Sequence, residues 1–398
     1  MKILFKYATV ALLLAGAAAC SQPSKRASII DENIAVAEKQ IGMLADSSET
    51  GGVIRIPSTW KNGRIDYVPV DDWVSGFFAG TLWYMYELTG DETWAARARK
   101  HTEILDSVQY LQWHHDVGFM VYDSYGNGLR LKNIPGYEDV IVQTAKSLAT
   151  RFRPVPGVIQ SWDADRGWQG ERGWQCPVII DNMMNLELMF KATEFSGDST
   201  YYNIAVKHAD RTMKEHFRDD YSCYHVVDYD LTTGDVRGRC TAQGYADDSA
   251  WARGQAWAVY GYTACYRYTD HARKVAGFML DDKNMPADLV PYWDYDAPNI
   301  PNEPRDVSTA AIIASAFYEM YTYTGDGLYK QKADRIVESL SSPAYRAPVG
   351  GNGGFLLMHS VGSIPHGSNI DVPLNYADYY FLEALIRKGR LEAGEPLF

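Results

Sequence analysis

The stretch that decides the fold reads Cys176-Pro-Val-Ile-Ile-Asp-Asn-Met-Met-Asn-Leu-Glu-Leu-Met-Phe-Lys-Ala-Thr-Glu-Phe-Ser-Gly-Asp198. Met183, Leu186, Met189 and Phe190 recur at helical spacing, so one face of a helix is apolar. Ser196-Gly197-Asp198 ends it: glycine tolerates the left-handed turn that closes a helix, and the aspartate caps the next one. Residues 199–208 then read as a more polar, basic helix. So short a turn makes the two helices antiparallel neighbours.

The same punctuation recurs along the chain. Residues 76–91 end in Thr-Gly-Asp and precede a basic helix at 92–101; 252–270 and 307–326 end in the same motif or a relative of it, each before another polar helix. The first member of each pair is apolar nearly all round and must be buried. The second has a charged face and lies outside. Helices near 33–44, 140–152 and 379–388 bring the count to roughly six hairpins. Self-similar hairpins stack into an open solenoid or close into a ring. The long segments at one end of the inner helices favour the ring: an all-α (α/α)6 toroid, one domain over 31–398, with its cleft opposite the short turns. Asp181 stands at that open end. An aspartate opening a helix is ordinarily an N-cap, so its company decides between capping and a cleft-facing carboxylate.

Two long inter-helix segments supply that company. Trp113-His-His-Asp-Val-Gly-Phe-Met-Val-Tyr-Asp123 alternates and is short, which predicts a strand or loop over the cleft, with His115-Asp116 either turn chemistry or a functional pair. Residues 223–230 and 236–244 alternate about a Gly-bearing turn and read as a β-hairpin over the cleft. Folding about that turn sets His225 opposite 240–243, so His225 and Gln243 converge at its base. Trp251-Ala-Arg-Gly-Gln-Ala-Trp257 follows, with Trp251 and Arg253 just before the next inner helix and Trp257 in its first turns.

Together, His115-Asp116-Val-Gly-Phe, Ile180-Asp181-Asn-Met-Met-Asn, Tyr224-His225 and the 243–257 block resemble glycoside hydrolase family 88, the unsaturated glucuronyl hydrolases. The resemblance runs from about Asp72 to 378–385, and the 251–257 block with both aspartates in order is its specific part. It implies an (α/α)6 barrel. It also implies a hydrolase that releases the non-reducing-end 4,5-unsaturated uronic acid from glycosaminoglycan-type oligosaccharides, products of an upstream polysaccharide lyase, by protonation at C4 and water addition at C5. By the same resemblance Asp181 is the general acid/base and Asp116 the second essential carboxylate. His115, His225, Gln243, Trp251, Arg253 and Trp257 fall on substrate-pocket positions, and Trp73 is a further stacking residue. Arg253 would pair with an anionic substrate group, and the fold is expected to tolerate its loss. The match is poorest at 350–354 and 370–374, where leaving-sugar specificity would be shaped.

Three other readings share parts of this pattern. An unsaturated rhamnogalacturonyl hydrolase would run the same chemistry on pectin fragments. An inverting glycosidase would attack a saturated C1 with the same two carboxylates. A non-catalytic sugar-binding lipoprotein would need the aromatics and neither aspartate.

Composition narrows the field further. A net charge of −12 leaves no basic stripe for nucleic acid. Aromatics at 13% suit sugar stacking or a large helical core equally. Lys2, Lys6 and the apolar run 8–19 read as a lipoprotein-type signal over 1–19, with Cys20 lipidated and 20–30 a tether. That pattern predicts an exported lipoprotein of the periplasm or outer membrane of a Gram-negative bacterium, held to the membrane by its lipid alone. Cys176, Cys223, Cys240 and Cys265 show no zinc-ligand spacing and read as buried thiols, with a Cys223–Cys240 bond the alternative. Neither metal nor cofactor is expected.

Overall fold

Each turn of the repeat folds as its chemistry dictates. Gly90, Gly197 and Gly325 take left-handed φ of 69°, 71° and 67°. The hydroxyl before each glycine accepts the aspartate N–H, from Asp91 to Thr89, Asp198 to Ser196 and Asp326 to Thr324. Each aspartate then accepts the N–H two residues on, from Thr93, Thr200 or Leu328, and so caps the outgoing helix. All three letters of the motif therefore have a structural job.

A computed structural model describes residues 28–397. The signal stretch 1–19, Cys20 and tether residues 20–27 lie outside the described residues. Ser28 caps α1 (Ile29–Ser48), so this helix takes in residues read from sequence as tether. Then come α2 (Ser75–Thr89), α3 (Glu92–Glu103), a π-wound segment Gly118–Gly126 running into α4 (Asn127–Lys132), and α5 (Tyr137–Ala149). A single loop turn, α6 (Gly167–Gly170), precedes a 3-10 segment Ile180–Asn185 that leads into α7 (Leu186–Ser196). The remainder is α8 (Ser199–Glu215), α9 (Ala252–Ala264), α10 (Thr269–Asp281), α11 (Val307–Thr324), α12 (Gly327–Leu340) and α13 (Asn375–Ala393).

The inner ring runs α2, α4 with its π segment, α7 with its 3-10 lead-in Ile180–Asn185, α9, α11 and α13, each packed on the next, and α13 returns to α2. The ring is closed, so the fold is the (α/α)6 toroid. Among the outer helices, α1 fills the position beside α13, with the Ile30 side chain lying over Gly389 and Asn33 donating to Ser341 at the end of α12.

The segment 113–123, expected as strand or loop, is loop through residue 116, with a β-bridge at His114, and from Gly118 is π-wound and begins an inner helix. π-winding breaks the 3.6-residue period that marks a helix in sequence. Its one glycine, Gly118, and Gly76 of α2, which faces it, are required by close packing. A Cβ on Gly118 would sit 2.3 Å from Asn185 Oδ1, and on Gly76 2.3 Å from the carbonyl oxygens of Phe119 and Met120. Those carbonyls belong to the helix backbone and cannot step aside. Gly76→Ala is expected to destabilise by about 1–3 kcal/mol, the usual cost of overpacking, visible as a lower Tm.

The expected hairpin is present as β6 and β7, within a set of short strand pairs at the helix ends. In chain order these are β1 (Ile56–Lys61) with β2 (Arg64–Val68) and β3 (Phe152–Arg153) with β4 (Val158–Ile159). A three-stranded sheet joins β5 (Pro177–Ile179), β6 (Val226–Tyr229) and β7 (Val236–Cys240), and β8 (Ser360–Ser363) pairs with β9 (Ser368–Val372). The register pairs Ile179 with Val226 and Val226 with Cys240. Strand β5 thus delivers Asp181 beside the base of the hairpin. All four described cysteines are free thiols, so the Cys223–Cys240 alternative is not realised.

Candidate active site

A cleft at the open end of the ring is lined by Trp73, Asp116, Trp162, Trp168, Ile179, Asp181, Gln243, Arg253, Ser363, His366 and Ser368. Asp181 does not cap its helix: its Oδ1 has no hydrogen-bond partner although the residue is only 8% exposed. Burial drives its carboxyl up to about 7. Against that, Arg253 favours the anion, while the charge of Asp116 disfavours it further. The Trp257 indole N–H faces the carboxylate and favours its anion without closing a hydrogen bond.

His225 is placed by the hairpin as expected. Its Nδ1 accepts the N–H groups of Ala242 (3.0 Å) and Gln243 (3.2 Å), which puts the ring proton on Nε2. That nitrogen lies 3.8 Å from Asp181 Oδ1 and is itself without a partner. Burial first, then the charge of Arg253, holds the imidazole well below its ordinary pKa, so it is a neutral N–H donor.

Asp116 behaves in the opposite way. Burial pushes its carboxyl up, but His115 and then His114 outweigh that and hold it below the usual carboxylate range. His115 Nε2 approaches Asp116 Oδ1 at 3.3 Å. The tautomer is set from behind: Gly118 N–H donates to Asn185 Oδ1 at 2.9 Å, which turns the Asn185 amide NH₂ toward His115 Nδ1 at 3.2 Å. His115 itself is fully buried and driven down to about 4, chiefly by burial. It backs Asp116 and does not line the cleft, contrary to its expected place as a substrate contact.

Two of the three expected tryptophan platforms are also behind the surface. Trp257 is buried between Phe119 and Tyr380, at ring distances of 5.1 and 5.6 Å. Trp251 is sandwiched between His225 and the Arg253 guanidinium, at 4.6 and 4.7 Å. Trp73 does present to the cleft, backed by Phe77, Phe119 and Tyr376. Gln243 lines the cleft as expected.

Arg253 is the largest departure. Its guanidinium pairs with Asp306 at 3.1 Å and donates to the carbonyls of Val361 and, at 2.5 Å, Gly362. It is a cross-brace that ties α9 to the start of α11 and to β8, leaving Nε as its unpartnered nitrogen toward the cleft. Arg253→Ala would strand the buried Asp306 carboxylate. The expected cost is about 3–5 kcal/mol, read as a large fall in Tm, where the sequence reading expected a tolerant fold.

Sequence reasoning missed Trp162, Trp168, Ser363, His366 and Ser368, all of which line the cleft. Three tryptophans at 162, 168 and 174 in one inter-helix segment were the available signal. Ser363, His366 and Ser368 come from the β8–β9 hairpin, between the two stretches where the resemblance is poorest. Among the described residues no group of three or more His, Cys, Asp or Glu is arranged to hold a metal ion.

Six unsatisfied polar atoms gather here: Asp181 Oδ1, His225 Nε2, His114 Nε2, His115 Nε2, Trp257 Nε1 and Arg253 Nε. Buried polar groups are otherwise paired in folded proteins, so such a concentration marks a site built for a ligand. A closed ring of helix hairpins with a protonated and an ionised carboxyl at its mouth defines a glycoside hydrolase on an (α/α)6 barrel.

No family model matches the chain. It is 47% identical over 333 residues to an unsaturated glucuronyl hydrolase of Formosa agariphila, covering 81% of this chain and 82% of that relative. The chain belongs to the unsaturated glucuronyl hydrolases. A crystal structure of an unsaturated glucuronyl hydrolase specific for heparin superposes with a TM-score of 0.87 at 43% identity, covering 92% of this chain and 98% of the other. A variant of the Streptococcus agalactiae enzyme complexed with dGlcA-GalNAc6S gives 0.74 at 29% identity, over 90% and 91% of the two chains.

Proposed function

We propose that this chain releases the 4,5-unsaturated uronic acid from the non-reducing end of lyase-generated glycosaminoglycan oligosaccharides by hydrating the double bond. The observation that carries the reading is Asp181, a buried, unpartnered carboxyl pushed up to about 7. A carboxyl that keeps its proton near neutrality is a general acid.

The C4=C5 bond is a vinyl ether through the ring oxygen. Asp181 gives its proton to C4, and positive charge develops at C5 and the ring oxygen, facing a site in which Asp116 is held ionised. The new Asp181 carboxylate is met by the N–H groups of His225 and Trp257, then takes a proton from the water that adds to C5. The resulting hemiketal opens at the bond from C5 to the ring oxygen. C5 becomes a ketone, and C1, now a hemiacetal, expels the remaining sugar as an alcohol. No displacement at C1 is needed. Trp73 offers the ring-stacking face.

The test is loss of the ultraviolet absorbance of the conjugated double bond with unsaturated disaccharides from heparin-, chondroitin- and hyaluronan-type polymers, beside a pectin-derived one. Turnover of the pectin fragment alone would replace this reading with the rhamnogalacturonyl one. Residues 1–20 support placement at the cell envelope through a lipid on Cys20. Cys20→Ser should then release the protein from the membrane fraction, and an unchanged distribution would remove the anchor. A polysaccharide lyase must act upstream, because only β-elimination creates the substrate's double bond.

A further inference from the structure

Behind the cleft, His115, Asn182 and Asn185 are fully buried side by side. Buried amides are costly unless each polar atom is paired, and here each has a fixed address. Asn182 gives its NH₂ to the Ile159 carbonyl at 2.7 Å, which leaves its Oδ1 to accept from Asn185 at 3.0 Å. Asn185 Oδ1 accepts the Gly118 N–H at 2.9 Å, a donor left without a helical partner at the start of the π-wound segment. The second N–H of Asn185 is therefore directed at His115 Nδ1, 3.2 Å away. Gly118 on one side and Asn182 on the other fix which end of the amide is oxygen and which is nitrogen. Gly118 needs only an acceptor, so the donor aimed at His115 serves the ring.

That donor decides the state of the imidazole. Nδ1 must offer its lone pair to Asn185, so neither the Nδ1–H tautomer nor the imidazolium fits, and the single ring proton stays on Nε2. Nε2 lies 3.3 Å from Asp116 Oδ1. A neutral donor there stabilises the Asp116 anion without cancelling its charge, whereas an imidazolium would neutralise the pair. Asp116 is also faced by His114, whose Nδ1 accepts the Asp116 backbone N–H, by Arg151, and by the carboxyls of Asp72 and Asp181. Asp181 is the neighbour that carries the chemistry, and a negative Asp116 opposes its ionisation.

We propose that Asn185 is a positioning residue for the reaction: through His115 it keeps Asp116 an uncancelled anion beside Asp181. This rests on the function proposed above, in which Asp181 holds a proton while Asp116 stays ionised. Asn185→Asp keeps the shape and the acceptor for Gly118 but turns the donor facing His115 into a second acceptor. The ring then carries a proton on Nδ1, and a further proton held between Nε2 and Asp116 makes that pair neutral. The negative charge moves one layer back, to position 185.

Both limbs of the kcat–pH profile should therefore close inward. The acid limb moves up, because the His115–Asp116 pair keeps its proton to higher pH. The basic limb moves down, because Asp181 loses the neighbouring charge that opposed its ionisation. Nearby charges shift carboxyl groups by about 1–3 pH units, so even a one-unit shift lowers kcat at pH 8 about tenfold. The ring ¹⁵N shifts of His115, assigned by their absence in His115→Gln, report the proton directly. Nδ1 should be unprotonated in the parent across its active pH range and protonated in Asn185→Asp. A protonated Nδ1 in the parent, or a variant whose profile is only scaled down with both limbs in place, would overturn the proposal and leave Asn185 a structural clamp on the π-wound turn. The parent spectrum decides even where the variant does not fold. If the parent turns over no unsaturated sugar, the hydration reading falls, and the nitrogen shifts still decide whether Asn185 sets the His115 proton.

Discussion

Asp181→Asn lowers kcat by at least ~10²-fold and leaves KM close to that of the parent chain, as expected when a general acid is removed from an otherwise intact site. The amide matches the carboxyl in shape but has no proton to give to C4. The pH profile of the parent chain tests the same assignment. Asp181 must be protonated to act, so its rate should fall as pH rises through about 7 and approach a tenfold loss per unit above it. A rate that climbs through that window would exclude a carboxylic acid donor. The same burial has a thermodynamic sign. An aspartate in the unfolded chain loses its proton near the ordinary 3.8, whereas the folded chain keeps it to about 7. Between those values the native state binds the extra proton, so stability declines as pH rises across the window. Asparagine cannot ionise. Asp181→Asn should therefore melt higher than the parent at pH 8, with the gap closing toward pH 4. Loss of activity together with a gain in Tm is a pair of results that damage to the fold cannot produce.

The largest effect should come from the substrate side. The saturated counterpart of a good substrate is expected to be inert, although its size and charge are nearly the same. Without the vinyl ether there is no basic C4 for Asp181 to protonate, and binding energy cannot replace that missing step. Turnover in heavy water should place deuterium at C4, and labelled oxygen from water should arrive first at C5. A product control incubated alone corrects for exchange through the new ketone. Efficient cleavage of the saturated sugar with solvent oxygen at C1 would instead establish an inverting or retaining glycosidase.

What could be read from the chain alone was local chemistry. The Thr-Gly-Asp and Ser-Gly-Asp turns each involve neighbours within two residues, so the ring of hairpins was legible wherever they occur. His225 and Gln243 were brought together by a turn a few residues long, and β6 and β7 confirm that convergence. The fourth inner-to-outer junction, at 265–269, lacks the glycine and closes through the 3-10 turn Tyr266–Tyr268 instead. Long-range partners were not legible. Arg253 finds Asp306, Val361 and Gly362 across separations of 53, 108 and 109 residues, and nothing within 251–257 signals that its charge is already spent. The π-wound segment was hidden because its winding breaks the helical period and its Gly118 answers to Asn185, 67 residues away, not to its own turn. His115 and Trp257 stand one layer further back than expected, since residue type alone does not distinguish a group that faces the cleft from one that stands behind it.

The placement of α1 beside α13 has a consequence for how the protein comes into being. The closing contacts join residues more than three hundred positions apart: Asn33 to Ser341, Gln40 to Gly351 and Phe355, Thr59 to Pro373. At ordinary synthesis rates of about 5–20 residues per second, α1 emerges roughly 15–60 s before its partners exist. The hairpins between can form as they emerge, but the seam must wait for the last helix. Completion of the ring is therefore a step of high contact order and correspondingly slow. A nonsense change that removes α13 would not trim one repeat from an otherwise sound array, as in an open solenoid. It would take the closing member out of the inner ring and expose the flanks of both α2 and α11, so a short loss at one terminus should register as protease sensitivity at the other.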